Sequence, residues 1–182
     1  MEPAIGMIET NSVAAGILAG DAMMKKAEVT LLEARPVCPG KFVVLISGEV
    51  GPVEESYRAG IAAAQDTLVD QLFLPNVHLS LFPAMMSATP SQGAEALGIV
   101  ETISVASCIL AADAAAKAAE VTILEIRLAN GLGGKSYFFL ESDVSNVEAA
   151  VDAAVNLVGK EGLLVRYVII PRLHSDMQHA IM

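Results

Sequence analysis

Residues 4–35, AIGMIETNSVAAGILAGDAMMKKAEVTLLEAR, return at residues 96–127 as ALGIVETISVASCILAADAAAKAAEVTILEIR. Gly6 pairs with Gly98, Glu9 with Glu101, Asp21 with Asp113 and Glu28 with Glu120, always 92 residues on. Later matches drift: Gly40 and Lys41 meet Gly134 and Lys135 at 94, and Pro75 and His78 meet Pro171 and His174 at 96. Drift in such small steps places insertions in two connections while the elements between them keep their length. The chain therefore reads as two copies of one domain, residues 1–88 and 94–182. Each is of a size that can fold around its own core, and the Ser/Thr/Pro/Gln/Gly stretch from Ser87 to Gly93 joins them.

One copy can be read against the other. A short β-rich run, Ala4 to Glu9 or Leu97 to Glu101, leads to Thr, Asn and Ser residues suited to capping a helix. Alanine-rich helices follow, Val13 to Lys26 and Val105 to Ala118. Next come strands at Val29 to Arg35 and Val121 to Arg127, a Gly/Pro loop, and strands at Phe42 to Ser47 and Tyr137 to Glu141 that complete a hairpin. Val147, Ala150, Val151, Ala154, Val155 and Val158 then trace one helical face, with Glu148, Asp152 and Asn156 opposite. A last strand, Leu68 to Leu74 or Leu163 to Ile170, stops at Pro75 or Pro171. The order β-α-β-β-α-β predicts an α+β chain of two ferredoxin-like domains, each an antiparallel sheet with helices on one face.

Composition narrows the function classes. Of 182 residues 54% are hydrophobic and 18% charged, which supplies a core and argues against disorder. A formal net charge of −10 disfavours nucleic acid, whose backbone is held by clustered Lys and Arg. Charged residues interrupt every apolar run, so no membrane span is expected. The opening MEPAIGMIET lacks a basic segment followed by an apolar one, so a cytoplasmic protein is expected.

Several motifs carry possible chemistry. Ala129-Asn-Gly-Leu-Gly-Gly-Lys135-Ser136 is one glycine short of a phosphate-cradling loop. That loop must open a helix, whereas SYFFLES after Lys135 reads as a strand. Arg35-Pro-Val-Cys38-Pro39-Gly40-Lys41 sets a thiol between prolines and near two cations, which favour the thiolate. Metal binding and an incidental exposed cysteine both remain open on that spacing. Cys108 lies in an apolar helix, aligned with Gly16, and reads as packing. His78 and His174 recur after the two prolines as cap or interface residues. Glu54 and Glu55 read as acids at a helix start, where the macrodipole favours them.

GMIET and GIVET, DAMMKKAEV and DAAAKAAEV, the strand-loop-strand ending in GGK and the closing IIPRLH together resemble the bacterial microcompartment shell family. Both copies match over nearly the whole chain, so the chain resembles the tandem-domain class of that family. This resemblance implies a non-enzymatic shell component. It further implies a homotrimeric pseudohexameric tile set among other hexameric and tandem shell proteins around encapsulated redox enzymes, with no nucleic acid or membrane partner.

The resemblance also implies that the hairpin loops surround a central pore: Val37, Cys38, Pro39, Gly40 and Lys41 in the first copy, and Gly131, Leu132, Gly133 and Gly134 in the second. The Cys-Pro-Gly-Lys loop is similar to that of iron–sulfur tandem shell proteins from propanediol-utilising compartments. By that likeness three Cys38 thiolates would hold one [4Fe–4S] cluster per trimer, since a cyclic trimer brings three copies of an axial residue together. Arg35 and Lys41 would offset its charge. A metal-free pore for small polar metabolites is the alternative. Lys25 and Lys117 match the family's tile-edge lysine and Arg172 its edge arginine, which Asn76 replaces in the first copy.

Overall fold

The computed structural model describes residues 3–181, so Met1, Glu2 and Met182, at the expected outer limits of the two copies, lie outside the described residues. The first copy consists of β1 (Pro3–Thr10), α1 (Val13–Lys26), β2 (Thr30–Val37), β3 (Lys41–Glu49), α2 (Val50–Ala64) and β4 (Leu68–Leu74). A short helix α3 (Leu81–Met85) follows. The second copy is β5 (Ala96–Thr102), α4 (Val105–Ala118), β6 (Thr122–Arg127), β7 (Ser136–Ser142), α5 (Val144–Gly159) and β8 (Leu164–Pro171), closed by α6 (Ser175–Ile181).

Each sheet is antiparallel and four-stranded, in the orders β2-β3-β1-β4 and β6-β7-β5-β8. The duplication extends to irregularities: β1 and β5 carry the same bulge before Thr10 and Thr102. β2 and β6 share another, at Leu31 to Glu33 and Ile123 to Glu125.

Helix ends follow from capping chemistry. Ser12 caps α1 by accepting from the Ala15 amide, and Lys25 and Lys26 sit where the helix dipole favours cations. Ser104 and Ser107 cap α4 reciprocally, and Asp143 accepts the Asn146 amide at 2.8 Å to start α5. A cap of this kind is worth about 1 kcal/mol. Glu54 and Glu55 are a correction to the sequence reading. Because α2 begins at Val50 its first turn holds no acid; Glu54 instead pairs with Arg58 one turn on, and Glu55 with Lys26 of α1.

In the first copy Ala4, Ile8, Val44 and Ile46 of the sheet pack against Ala19, Met23, Val53 and Ala64 of the helices. One steric exchange distinguishes the copies. A Cβ on Gly16 would stand 2.6 Å from Phe42, closer than packed atoms tolerate. In the second copy Cys108 occupies the place of Gly16, and Ser136, fully buried, occupies that of Phe42. Bulk has passed from the strand to the helix. Cys108 is accordingly a packing residue, completely buried, and burial pushes its thiol pKa far up against a weaker lowering by Thr102.

Packing divides the chain into two compact units between Val77 and His78. The segment carrying α3 belongs in sequence to the end of the first copy, yet it packs on β6 and α4 of the second. On the other face of the second sheet, Leu97, Leu124 and Phe139 are packed by Leu173 and Ile181.

Candidate functional site

In the first copy Val37 pairs with Lys41 across the hairpin, leaving Cys38, Pro39 and Gly40 as its tip. Gly40 has φ +77°, which glycine adopts without a Cβ penalty. Val37 is buried and anchors the end of β2, whereas Cys38, Pro39 and Gly40 are exposed. Cys38 is a free thiol.

The two nearby cations are not loose. Arg35 is bonded to Glu33, and Lys41 lies against Oε1 of Glu9, a carboxylate wholly withdrawn from solvent. Oε2 of Glu9 has no hydrogen-bond partner among the described residues. Removing either partner of so sheltered a pair exposes the other to the cost of an uncompensated buried charge. Lys41 therefore serves first as the clamp at the base of the loop. The second copy repeats the clamp with Lys135 and Glu101, in a more open setting. The doubled Glu and doubled Lys were visible in the repeat, and their pairing is the feature that reading residues singly missed.

The second hairpin is longer. Leu128 and Ala129 are buried, the Ala129 amide donates to Ser136 Oγ at 3.1 Å, and the Lys135 amide donates to the Leu132 carbonyl at 3.2 Å. Gly131 and Gly133 are exposed at the tip, Leu132 is half-buried and Gly134 is buried. The loop runs into β7, which starts at Ser136, so it opens a strand and not a helix. A phosphate cradle needs one.

Among the described residues no group of three or more His, Cys, Asp or Glu side chains is placed to hold a metal. One chain thus presents one exposed thiol. The expected edge residues lie elsewhere in the fold: Lys25 and Lys117 end their helices, paired with Asp21 at 2.6 Å and Asp113 at 2.5 Å. Arg172 and Asn76 both take a left-handed backbone, at φ +54° and +57°, and the Arg172 amide donates to the Glu95 carbonyl. His78 donates its amide to Asp113 Oδ1 at 2.8 Å and bonds Ser80 through Nδ1, while His174 Nδ1 accepts from the Asp176 amide. The second unit also contains a cavity of about 520 Å³ beside Ser87, Thr89, Glu125, Arg127 and Phe139.

Two compact α+β units with the same bulges, the same loop clamps and matching closing turns make this a tandem-domain protein. The BMC domain matches residues 4–77 and 96–173, and the chain belongs to the bacterial microcompartment shell family. It is 47% identical over 177 residues to the bacterial microcompartment shell protein PduT of Citrobacter freundii, covering 97% of this chain and 96% of that one. The carboxysome assembly protein CcmO of Synechococcus elongatus is 27% identical over 190 residues, covering 98% of this chain and 68% of CcmO. Among solved structures, the crystal structure of a microcompartment protein from Desulfitobacterium hafniense superposes with a TM-score of 0.94 at 48% identity, covering 98% of this chain and 99% of that one. The protein is a shell component with a structural rather than an enzymatic part, working with other shell proteins. Among the described residues no helix is long and apolar enough to cross a membrane.

Proposed function

We propose that three chains form a pseudohexameric tile of a microcompartment shell, with the three Cys38 loops meeting at its axis and holding one [4Fe–4S] cluster. The observation that carries this reading is the exposed free thiol at a hairpin tip where the second copy has glycines. Thiolate sulfur is the donor that iron–sulfur clusters take. A lone donor per chain becomes three in a threefold ring. When bound, the cluster would supply one-electron transfer for electron passage across the shell, or would itself be the cargo delivered to enzymes inside.

The chain's own residues hold the loop. Lys41, clamped by Glu9, fixes the root of the hairpin, and Val37 anchors it in the core. Arg35 and Lys41 are already engaged, with Glu33 and Glu9.

Anaerobic purification or reconstitution followed by iron and sulfide assays tests the reading. About four irons and four sulfides per three chains are expected, lost in Cys38→Ser. A protein that stays free of iron, or a variant that keeps it, overturns the cluster. The outcome would then favour the pore for small polar metabolites, a reading supported by the exposed, uncharged Gly131 and Gly133 of the second loop.

A further inference from the structure

The cavity of about 520 Å³ in the second unit belongs to neither hairpin loop, and its size is that of a small-molecule site. One side of it is polar. Ser87 and Thr89 come from the stretch that joins the two copies, and Glu125 and Arg127 come from β6, two apart and so on one face of the strand. The other side is apolar, where Leu124 and Phe139 of the sheet are packed by Ile181 of α6.

The polar side is not satisfied by its own members. Glu125, 9% exposed, is held by Arg127 Nη2 at 2.5 Å and accepts from the Ser87 hydroxyl at 3.0 Å. Both contacts fall on Oε1, so Oε2 takes neither. Arg127 spends Nη2 on that carboxylate, but its Nε, shielded from solvent, has no hydrogen-bond partner among the described residues. The equally shielded Oγ1 of Thr89 has none either. Buried polar groups are seldom left so, because an unmet donor forfeits its hydration without return.

What completes such a site must accept from Arg127 Nε–H, donate to Glu125 Oε2 and pair with the Thr89 hydroxyl, which can give or take a proton. Hydroxyl groups meet all three demands. The carboxylate and guanidinium cancel, so the ligand should carry no charge: an acid would add an unpaired anion beside Glu125, and an amine an unpaired cation beside Arg127. The apolar side calls for C–H surface.

We propose that this cavity binds a small neutral polyol, with its hydroxyls on Thr89, Glu125 and Arg127 and its carbon chain against Leu124, Phe139 and Ile181. The proposal needs neither the trimer nor the cluster, since every residue in it belongs to the second unit.

The test titrates the whole protein, its isoleucine methyl groups labelled for NMR, with erythritol. The Ile181 methyl should shift saturably while that of Ile17, in the first unit and remote from these residues in sequence, stays in place. Butan-1-ol, with the same four carbons and one hydroxyl, and erythronate, with a carboxylate, should each bind more weakly by about tenfold or more. Thr89→Val, which keeps the shape and removes the hydroxyl, should weaken erythritol binding about threefold to tenfold. Glu125→Gln leaves the Arg127 charge uncompensated and should reverse the preference, so that erythronate binds better than erythritol. No saturable shift of Ile181 at decimolar erythritol overturns the site. Butan-1-ol or erythronate binding as well as erythritol to the unmutated chain overturns the polyol. Should Glu125→Gln fail to fold, Thr89→Val at its half-buried loop position still decides: unchanged affinity there refutes the proposal.

Discussion

Gly16→Ala should cost less once the side chain at position 42 is shortened. In the natural background the added Cβ would lie 2.6 Å from both Cβ and Cδ1 of Phe42 and 2.7 Å from Thr10 Oγ1. The Phe42 Cβ is tied to the strand and cannot rotate away, so the upper part of the overpacking range, about 3 kcal/mol, applies. Alanine in place of glycine returns about 1 kcal/mol of helix propensity, leaving a net loss of about 2 kcal/mol. Phe42 is 6% exposed, and Phe42→Ala alone should cost about 3–5 kcal/mol. Once that ring is gone the helix can settle, as α4 does with Cys108 while Thr102 keeps its bond to the Ser104 carbonyl. Because Phe42→Ala removes the Cδ1 contact and keeps the Cβ one, Gly16→Ala in that background should cost about 1 kcal/mol rather than about 2. Guanidinium unfolding followed by circular dichroism, at one chain concentration because association shifts apparent stability, measures all four corners of the cycle. An equal loss from Gly16→Ala in both backgrounds, within about 0.5 kcal/mol, would refute the steric account.

Three further outcomes are expected. Glu9→Gln should cost about 3 kcal/mol because it strands Lys41 beside a buried site, whereas Glu101→Gln, whose pair is largely open to water, should cost at most about 1 kcal/mol in the same melts. The Asn146 amide, followed by the Ser145 hydroxyl, holds the Asp143 carboxyl below the usual aspartate range. Its contribution is therefore complete above the ordinary aspartate pKa and fades as pH falls through the lowered value; Asp143→Asn should keep the cap at neutral pH and lose that acid-side slope in a pH series of melting curves. A thiol reagent at pH 8 should label one cysteine per native metal-free chain, Cys38, and two after denaturation, because Cys108 is buried and its thiol resists ionisation. Two labels on the native chain would contradict that burial.

The duplicated segment made the strand order and the first helices legible, since two independent sequences had to satisfy one backbone. Val13–Lys26 and Val105–Ala118 form as read because alanine-rich runs that open on a serine N-cap leave little alternative. Leu81–Met85 was not legible. LSLFPAM is too short for periodicity and carries a proline, and its helical turn depends on burial against β6 and α4, a surface remote in sequence. At the candidate site the exposed thiol followed from its prolines and glycine. The engagement of Arg35 and Lys41 did not, because charge pairing depends on which strands are neighbours, and Glu9 meets Lys41 through the β1–β3 ladder.

The exchange of bulk between Gly16 with Phe42 and Cys108 with Ser136 bears on how such a gene persists. Tandem repeats in DNA invite unequal crossing-over, which would shorten the gene to one hybrid copy. A crossover between helix and strand leaves the shortened product with the earlier helix and the later strand, setting Gly16 against Ser136 over a void. The reciprocal, lengthened product gains a hybrid copy that sets Cys108 against Phe42, in a space that holds only one of them. Neither product packs as well as its parents, so the two halves have become non-interchangeable, and selection against the hybrids would help keep a fused gene fused.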